Sequence, residues 1–113
     1  MSAITTHVLD TSRGRPAESV PAILEIKVAG GWTLIGQGTT NVDGRISDLV
    51  PQDAKIAPGV YRLTFDTGTY FSNHQVESFY PKVTIIFRLA DAAQHYHVPL
   101  LLSPFGYSTY RGS

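Results

Sequence analysis

The sequence predicts an all-β fold, an antiparallel β-sandwich of seven to eight strands with one short helix. Three observations carry that expectation. Apolar residues recur at every second position in several short runs, the period of a strand with one face buried. Gly, Pro and Asp turn signals separate those runs. Only one segment has a helical start. With 113 residues, 42% of them apolar, and no repeat, low-complexity stretch or linker, residues 1–113 read as a single domain able to bury a core.

In chain order, Ile4 to Leu9 forms a short first strand, with Ile4, Thr6 and Val8 on one face and Thr5, His7 and Leu9 on the other. Asp10 through Pro16 is a link punctuated by Ser12, Gly14 and Pro16. From Val20 the alternation is clear: Val20, Ala22, Leu24, Ile26 and Val28 are apolar, with Glu25 and Lys27 between them. Ala29, Gly30 and Gly31 supply a hairpin turn into Trp32, Leu34 and Gly36. Asp43-Gly44 makes another turn, with Arg45 directly behind it. Pro58-Gly59 introduces the strand Val60 to Phe65, which presents Tyr61, Leu63 and Phe65 to one side. Asp66 to Gln75 is the helical segment, capped by Asp66 or Thr67 and weakened by Gly68 and Asn73; Pro81 ends it. Val83, Ile85, Phe87 and Leu89 alternate along the next strand.

The last nineteen residues, His95 to Ser113, organise the rest. Tyr96, Val98, Leu100 and Leu102 are expected in the core, and His95, His97, Pro99 and Leu101 on the opposite face. A turn through Pro104 and Gly106 leads into a final strand, with Ser108 and Tyr110 on one face and Tyr107, Thr109 and Arg111 on the other. The terminus is expected to pack into something. Pro99 conflicts with a central strand, because it cannot donate to a ladder; an edge or a bulge is expected there, so that the strand lies near a subunit boundary or the Pro99 amide position faces away from its neighbour.

Composition excludes several classes of partner. Nine basic residues balance nine acidic ones, so there is no electrostatic footprint for nucleic acid or an anionic membrane. The absence of cysteine removes disulfides, thiolate nucleophiles and zinc-thiolate sites. There is no signal-peptide pattern at the N-terminus, no membrane-length apolar run and no peroxisomal SKL-type ending, so a soluble, cytoplasmic protein is expected.

Chemistry falls to the histidines and arginines. His95 and His97 project from one strand face, and a metal would take His7 as a third ligand. Without carboxylates at ligand spacing, no metal site is expected. Strand parity places His7, His97, Ser108 and Tyr110 on non-core faces, where a common polar surface can collect them. Arg45, Arg13, Arg15, Arg62, Arg88 and Arg111 all compete for an anion-binding role, and composition does not choose among them. No phosphate loop, nucleophile elbow or paired-carboxylate arrangement is present.

Two stretches are more specific: TTHVLDTSRGRPA, from Thr5 to Ala17, and LLSPFGYSTYRGS, from Leu101 to Ser113. Together they resemble the transthyretin superfamily, and His7, His97 and the terminal Tyr110-Arg111-Gly112-Ser113 resemble its 5-hydroxyisourate hydrolase branch. The resemblance implies a transthyretin-like sandwich assembled as a homotetramer, with active sites at the dimer-dimer interface. It implies hydrolysis of 5-hydroxyisourate, an intermediate of urate (purine) breakdown, to 2-oxo-4-hydroxy-4-carboxy-5-ureidoimidazoline. It assigns catalysis to His7, Arg45 and His97 and substrate binding to Ser108, Tyr110, Arg111, Gly112 and Ser113, with no cofactor. His95 is left out of that set. The rival expectation is a non-catalytic carrier of a small aromatic ligand in the same kind of channel.

Overall fold

The computed structural model describes residues 3–113. Eight strands and one helix are present among them: β1 (Ile4–Asp10), β2 (Arg15–Pro16), β3 (Pro21–Val28), β4 (Gly31–Thr39), β5 (Gly59–Phe65), α1 (Thr67–Asn73), β6 (Val83–Leu89), β7 (Tyr96–Ser103) and β8 (Gly106–Thr109). They form two four-stranded sheets, in the orders β2-β1-β7-β8 and β4-β3-β5-β6. The expected sandwich is therefore present, with the link after Asp10 adding the two-residue β2.

The alternating positions form the core between the sheets. Ile4 and Val8 of β1, Leu24 of β3, Tyr61, Leu63 and Phe65 of β5, Val83 and Leu89 of β6 and Leu100 of β7 are all fully buried. Burying each aliphatic or Phe side chain of this kind stabilises the fold by ~1.5–3 kcal/mol. Buried polar tips are satisfied locally. The Tyr61 hydroxyl donates to the Ala57 carbonyl at 2.6 Å, and the Tyr70 hydroxyl to Asp10 Oδ2 at 2.7 Å. Asp10 Oδ1 accepts from the Ser12 amide and hydroxyl, so this buried carboxylate ties the end of β1 to α1. Asp66 caps α1 as expected, accepting from the Thr69 amide.

Two features depart from a simple antiparallel reading. β1 and β7 pair in parallel, with Thr5 opposite His97 and His7 opposite Pro99. The chain between them builds the entire second sheet, which supplies the long crossover that parallel neighbours need. Secondly, Pro99 lies in an interior strand and is buried, not at an edge or a wet surface. Alternate amides of β7 face opposite neighbours. The Tyr96 N–H donates to Ala3 on the β1 side, and the His97 carbonyl accepts from Gly112 on the β8 side. Pro99 shares the orientation of His97, so its missing donor faces β8, where the ladder stops at Thr109 and pairing resumes only at Gly112. The Pro99 carbonyl is met by the Thr109 hydroxyl at 2.7 Å.

Candidate active site

The outer face of the β2-β1-β7-β8 sheet carries the candidate residues. Along β1, Thr5 and His7 are half-buried between the fully inward Ile4, Thr6 and Val8; along β7, His97 is half-buried between Tyr96 and Val98. The parallel register sets Thr5 beside His97 and His7 beside Pro99, so the two histidines share one patch of sheet.

Arg45 is brought there by the turn ahead of it. Gly44 has φ +77°, and a Cβ at that position would overlap the Val8 carbonyl oxygen and lie 3.3 Å from His7 Cδ2. Only glycine lets the turn lie this close to β1 in that conformation. The Val8 N–H donates to the Gly44 carbonyl at 2.8 Å, and His7 and Arg45 form an isolated antiparallel bridge. Asn41 holds the loop from inside. Its Oδ1 accepts from the Asp43 and Arg45 amides at 2.9 and 3.1 Å, and its N–H donates to the Arg45 carbonyl at 2.7 Å.

The third side is the end of the chain. The Gly112 N–H donates to the His97 carbonyl at 2.8 Å. A Cβ on Gly112 would lie 2.6 Å from His97 Cδ2, so this residue lies flat against the imidazole. Ser113 then joins Thr5, Asn41, Arg45, His95 and His97 in lining a cavity of about 540 Å³. His97 Nδ1 is 2.8 Å from Thr5 Oγ1, which leaves Nε2 to face a ligand.

Both site histidines are pushed below the ordinary histidine range. For His7 the causes are burial first and then the Arg45 guanidinium, opposed by a backbone hydrogen bond at Asp43 and by the Asp43 charge. For His97 they are burial, then Arg45, His7 and His95, opposed by a backbone hydrogen bond at Thr5. Neutral imidazoles beside a permanent cation make a site that can accept a proton and hold a developing negative charge. No group of three or more His, Cys, Asp or Glu side chains among the described residues is arranged to hold a metal ion.

The other singled-out residues lie elsewhere. Ser108 is exposed on β8, paired with Leu101. Tyr110 and Arg111 line a separate cavity of about 260 Å³ with Tyr96, Val98 and β6 residues. Arg111 stacks its guanidinium 4.5 Å over the Tyr96 ring and donates to Gln94 Oε1 at 3.0 Å. Conversely, Thr5 and Asn41 line the cavity and were not singled out, and His95, noted beside His97 but left out of the catalytic set, lines it too. Thr5 shares His7's strand face, which was the available signal; nothing local in the sequence ties Asn41 to Arg45.

A family model described as the HIUase/Transthyretin family matches residues 4–112. The chain belongs to that family. Among HIUase/Transthyretin relatives, the 5-hydroxyisourate hydrolase of Salmonella typhimurium is 47% identical over 110 residues, covering 97% of this chain and 80% of that protein. The solved structure of Klebsiella pneumoniae 5-hydroxyisourate hydrolase is 38% identical, with a TM-score of 0.83, covering 99% of this chain and 100% of the other. Sea bream transthyretin in complex with thyroxine is 35% identical with a TM-score of 0.91, covering 98% and 95%. The shared fold thus accommodates both a hydrolase and a thyroxine complex, and the side chains on the outer face have to separate them.

Proposed function

We propose that this chain hydrolyses 5-hydroxyisourate to 2-oxo-4-hydroxy-4-carboxy-5-ureidoimidazoline in urate breakdown, acting in the cytoplasm as a homotetramer. The observation that carries the reading is a cavity lined by His97 and Arg45, with His7 just outside its lining, bridged to Arg45 through the backbone and near enough to act on His97, and with both imidazoles held below the ordinary histidine range. Opening the ring requires a base for water, a proton for the departing ring nitrogen and a counter-charge for the tetrahedral oxyanion. His7 and His97 divide the proton transfers, and Arg45 orients the substrate and stabilises the oxyanion. Gly112 and Ser113 complete the pocket wall, and Ser108 is available to substrate further along the sheet. Arg111, held by Tyr96 and Gln94, with Tyr110 beside it, anchors the terminal segment so that Gly112 docks on His97.

The homologues named 5-hydroxyisourate hydrolase support the substrate. Support for assembly is physical. The cavity opens on the outer face of a sheet, and hydrolysis through a tetrahedral anion gains from a lid that excludes bulk water. A second copy on that face supplies one, and the exposed Phe105 and Tyr107 of the β7–β8 hairpin offer apolar area for it. Light scattering is expected to report a tetramer at micromolar concentration; a monomer would remove the composite site.

The activity test is the fall in near-ultraviolet absorbance of freshly generated 5-hydroxyisourate with and without protein. A carrier, the reading favoured by the likeness to the thyroxine complex, would bind an aromatic ligand and leave the decay rate unchanged.

A further inference from the structure

Thr5 Oγ1 lies 2.8 Å from His97 Nδ1 and 3.0 Å from His95 Nε2, bridging the two imidazoles. The rings stack with centroids 6.5 Å apart and an interplanar angle of 22°. Thr5 is the ladder partner of His97 across the parallel pair, and its β-branch restricts the hydroxyl's position. A hydroxyl has one hydrogen to give, so it cannot donate to both rings; donation to one leaves it an acceptor toward the other. The protonation of His97 Nδ1 is therefore coupled to that of His95 Nε2. His95 is exposed, whereas His97 is half-buried against Gly112.

We infer that Thr5 is a positioning residue that fixes the tautomer of His97 and connects it to His95 as a proton outlet. The inference rests on the hydrolase reading and supplies something it lacks. Cleaving a ring amide with water yields a carboxylic acid, ionised at neutral pH, and a urea-type nitrogen too weakly basic to keep an extra proton. Of the two water hydrogens, one ends on that nitrogen and the other must leave the site in every turnover.

The bridge provides the route. Thr5 accepts from His97 Nδ1–H and donates to His95 Nε2, so His97 Nε2 presents its lone pair to the cavity. As the water oxygen bonds to the carbonyl carbon, its proton goes to His97 Nε2. The Nδ1 proton passes to Thr5 Oγ1, and the Thr5 hydroxyl proton passes to His95 Nε2. His95 then holds a proton on each nitrogen and sheds the one on Nδ1 to solvent. Neutral His7 takes the remaining hydroxyl hydrogen of the tetrahedral intermediate and delivers it to the departing ring nitrogen, which accounts for the second water hydrogen and leaves a carboxylate. The charged or titratable groups acting on His97 are Arg45 from the 41–45 loop, His7 from β1 and His95 from the residue ahead of β7. All three disfavour a cation at His97, which drives the proton outward.

The test compares wild type, Thr5→Val, Thr5→Ser and His95→Asn. Val removes the hydroxyl and keeps the β-branch; Ser restores the hydroxyl. Nitrogen chemical shifts of labelled histidines, recorded without substrate, are expected to show His97 protonated at Nδ1 in wild type and Thr5→Ser, and mixed tautomers in Thr5→Val. In steady state, Thr5→Val is expected to lose roughly 10-fold or more in kcat with KM little changed, and Thr5→Ser to keep most of its activity. His95→Asn is expected to lose kcat and to regain it in imidazole buffer. Wild-type tautomer and kcat in Thr5→Val would overturn the inference, and wild-type kcat in His95→Asn would overturn the outlet. A wild-type protein that never turns over 5-hydroxyisourate but shows the tautomer change would sink the hydrolase reading alone.

Discussion

Replacing Gly44 by Ala tests whether the turn on β1 holds the site together. Two costs combine at this position. The first is conformational, since φ is +77° and a non-glycine residue there loses about 1–2 kcal/mol. The second is steric, because the new methyl overlaps the Val8 carbonyl oxygen, an atom of the β1 backbone that cannot swing aside as a side chain would. Relieving the overlap pulls the loop from β1 and stretches the 2.8 Å bond from the Val8 amide to the Gly44 carbonyl, worth about 1 kcal/mol. Together the loss is ~2–3 kcal/mol of folding stability, by those same terms. Gly14 is the internal control, because its φ is +66° with open space where a methyl would go, so Gly14→Ala carries the conformational cost alone. Urea unfolding of the two variants separates strain from overlap, and turnover at a temperature where both remain folded reports on the site. Gly44→Ala should be the less stable and lose most of its activity, since Arg45 moves with the loop, while Gly14→Ala stays active. Equal stabilities and wild-type turnover in both would show that the loop's contact with β1 does not position Arg45.

Arg45→Glu should abolish turnover without unfolding the protein, checked by circular dichroism beside the absorbance assay. Arg45→Gln should shift the acid limb of kcat/KM upward but not wholly to the ordinary histidine range, because burial outranks Arg45 as the cause of both depressions. In wild type that limb should fall below pH ~6.5, where a depressed imidazole is still neutral. Because the folded state binds these protons more weakly than the unfolded chain, stability should be complete above pH ~6.5 and decline as pH falls from there toward the folded-state values; urea midpoints across that range check the sign. His7→Asn and His97→Asn should each lower kcat by roughly 10²–10⁴, and the double variant should cost much less than the product of the two if they act as one unit.

Strand positions and burial were legible because each sheet has one dry face, so alternation reports directly on which side chains face inward. The helix was legible from Asp66, whose carboxylate does cap it. Parity identified the outward face of His7, His95 and His97 but could not reveal strand neighbours, so the parallel Thr5–His97 pairing was invisible, and with it the Thr5 hydroxyl between His95 and His97. Counting alternation to Tyr110 failed differently: β8 ends at Thr109, and beyond it the chain leaves the pleat, carrying Tyr110 and Arg111 to another cavity. Pro99 signalled a broken ladder, which is present, but not its location inside the sheet. The Asp43-Gly44 turn was evident in the sequence, whereas its resting place on Val8 depends on a tertiary contact.

The parallel pairing of β1 with β7 also bears on how the molecule acquires its chemistry. Thr5 and His97 are 92 positions apart, so the candidate site cannot form from any local hairpin. Closing a loop of that length costs about 4 kcal/mol in chain entropy before the ladder returns anything. The second sheet, built from antiparallel neighbours between those positions, can assemble first and bring the two ends within reach. Formation of the candidate site is then a late folding event: on a ribosome, His7 can meet Arg45 early, but Thr5 must wait without its ladder partner until β7 has emerged.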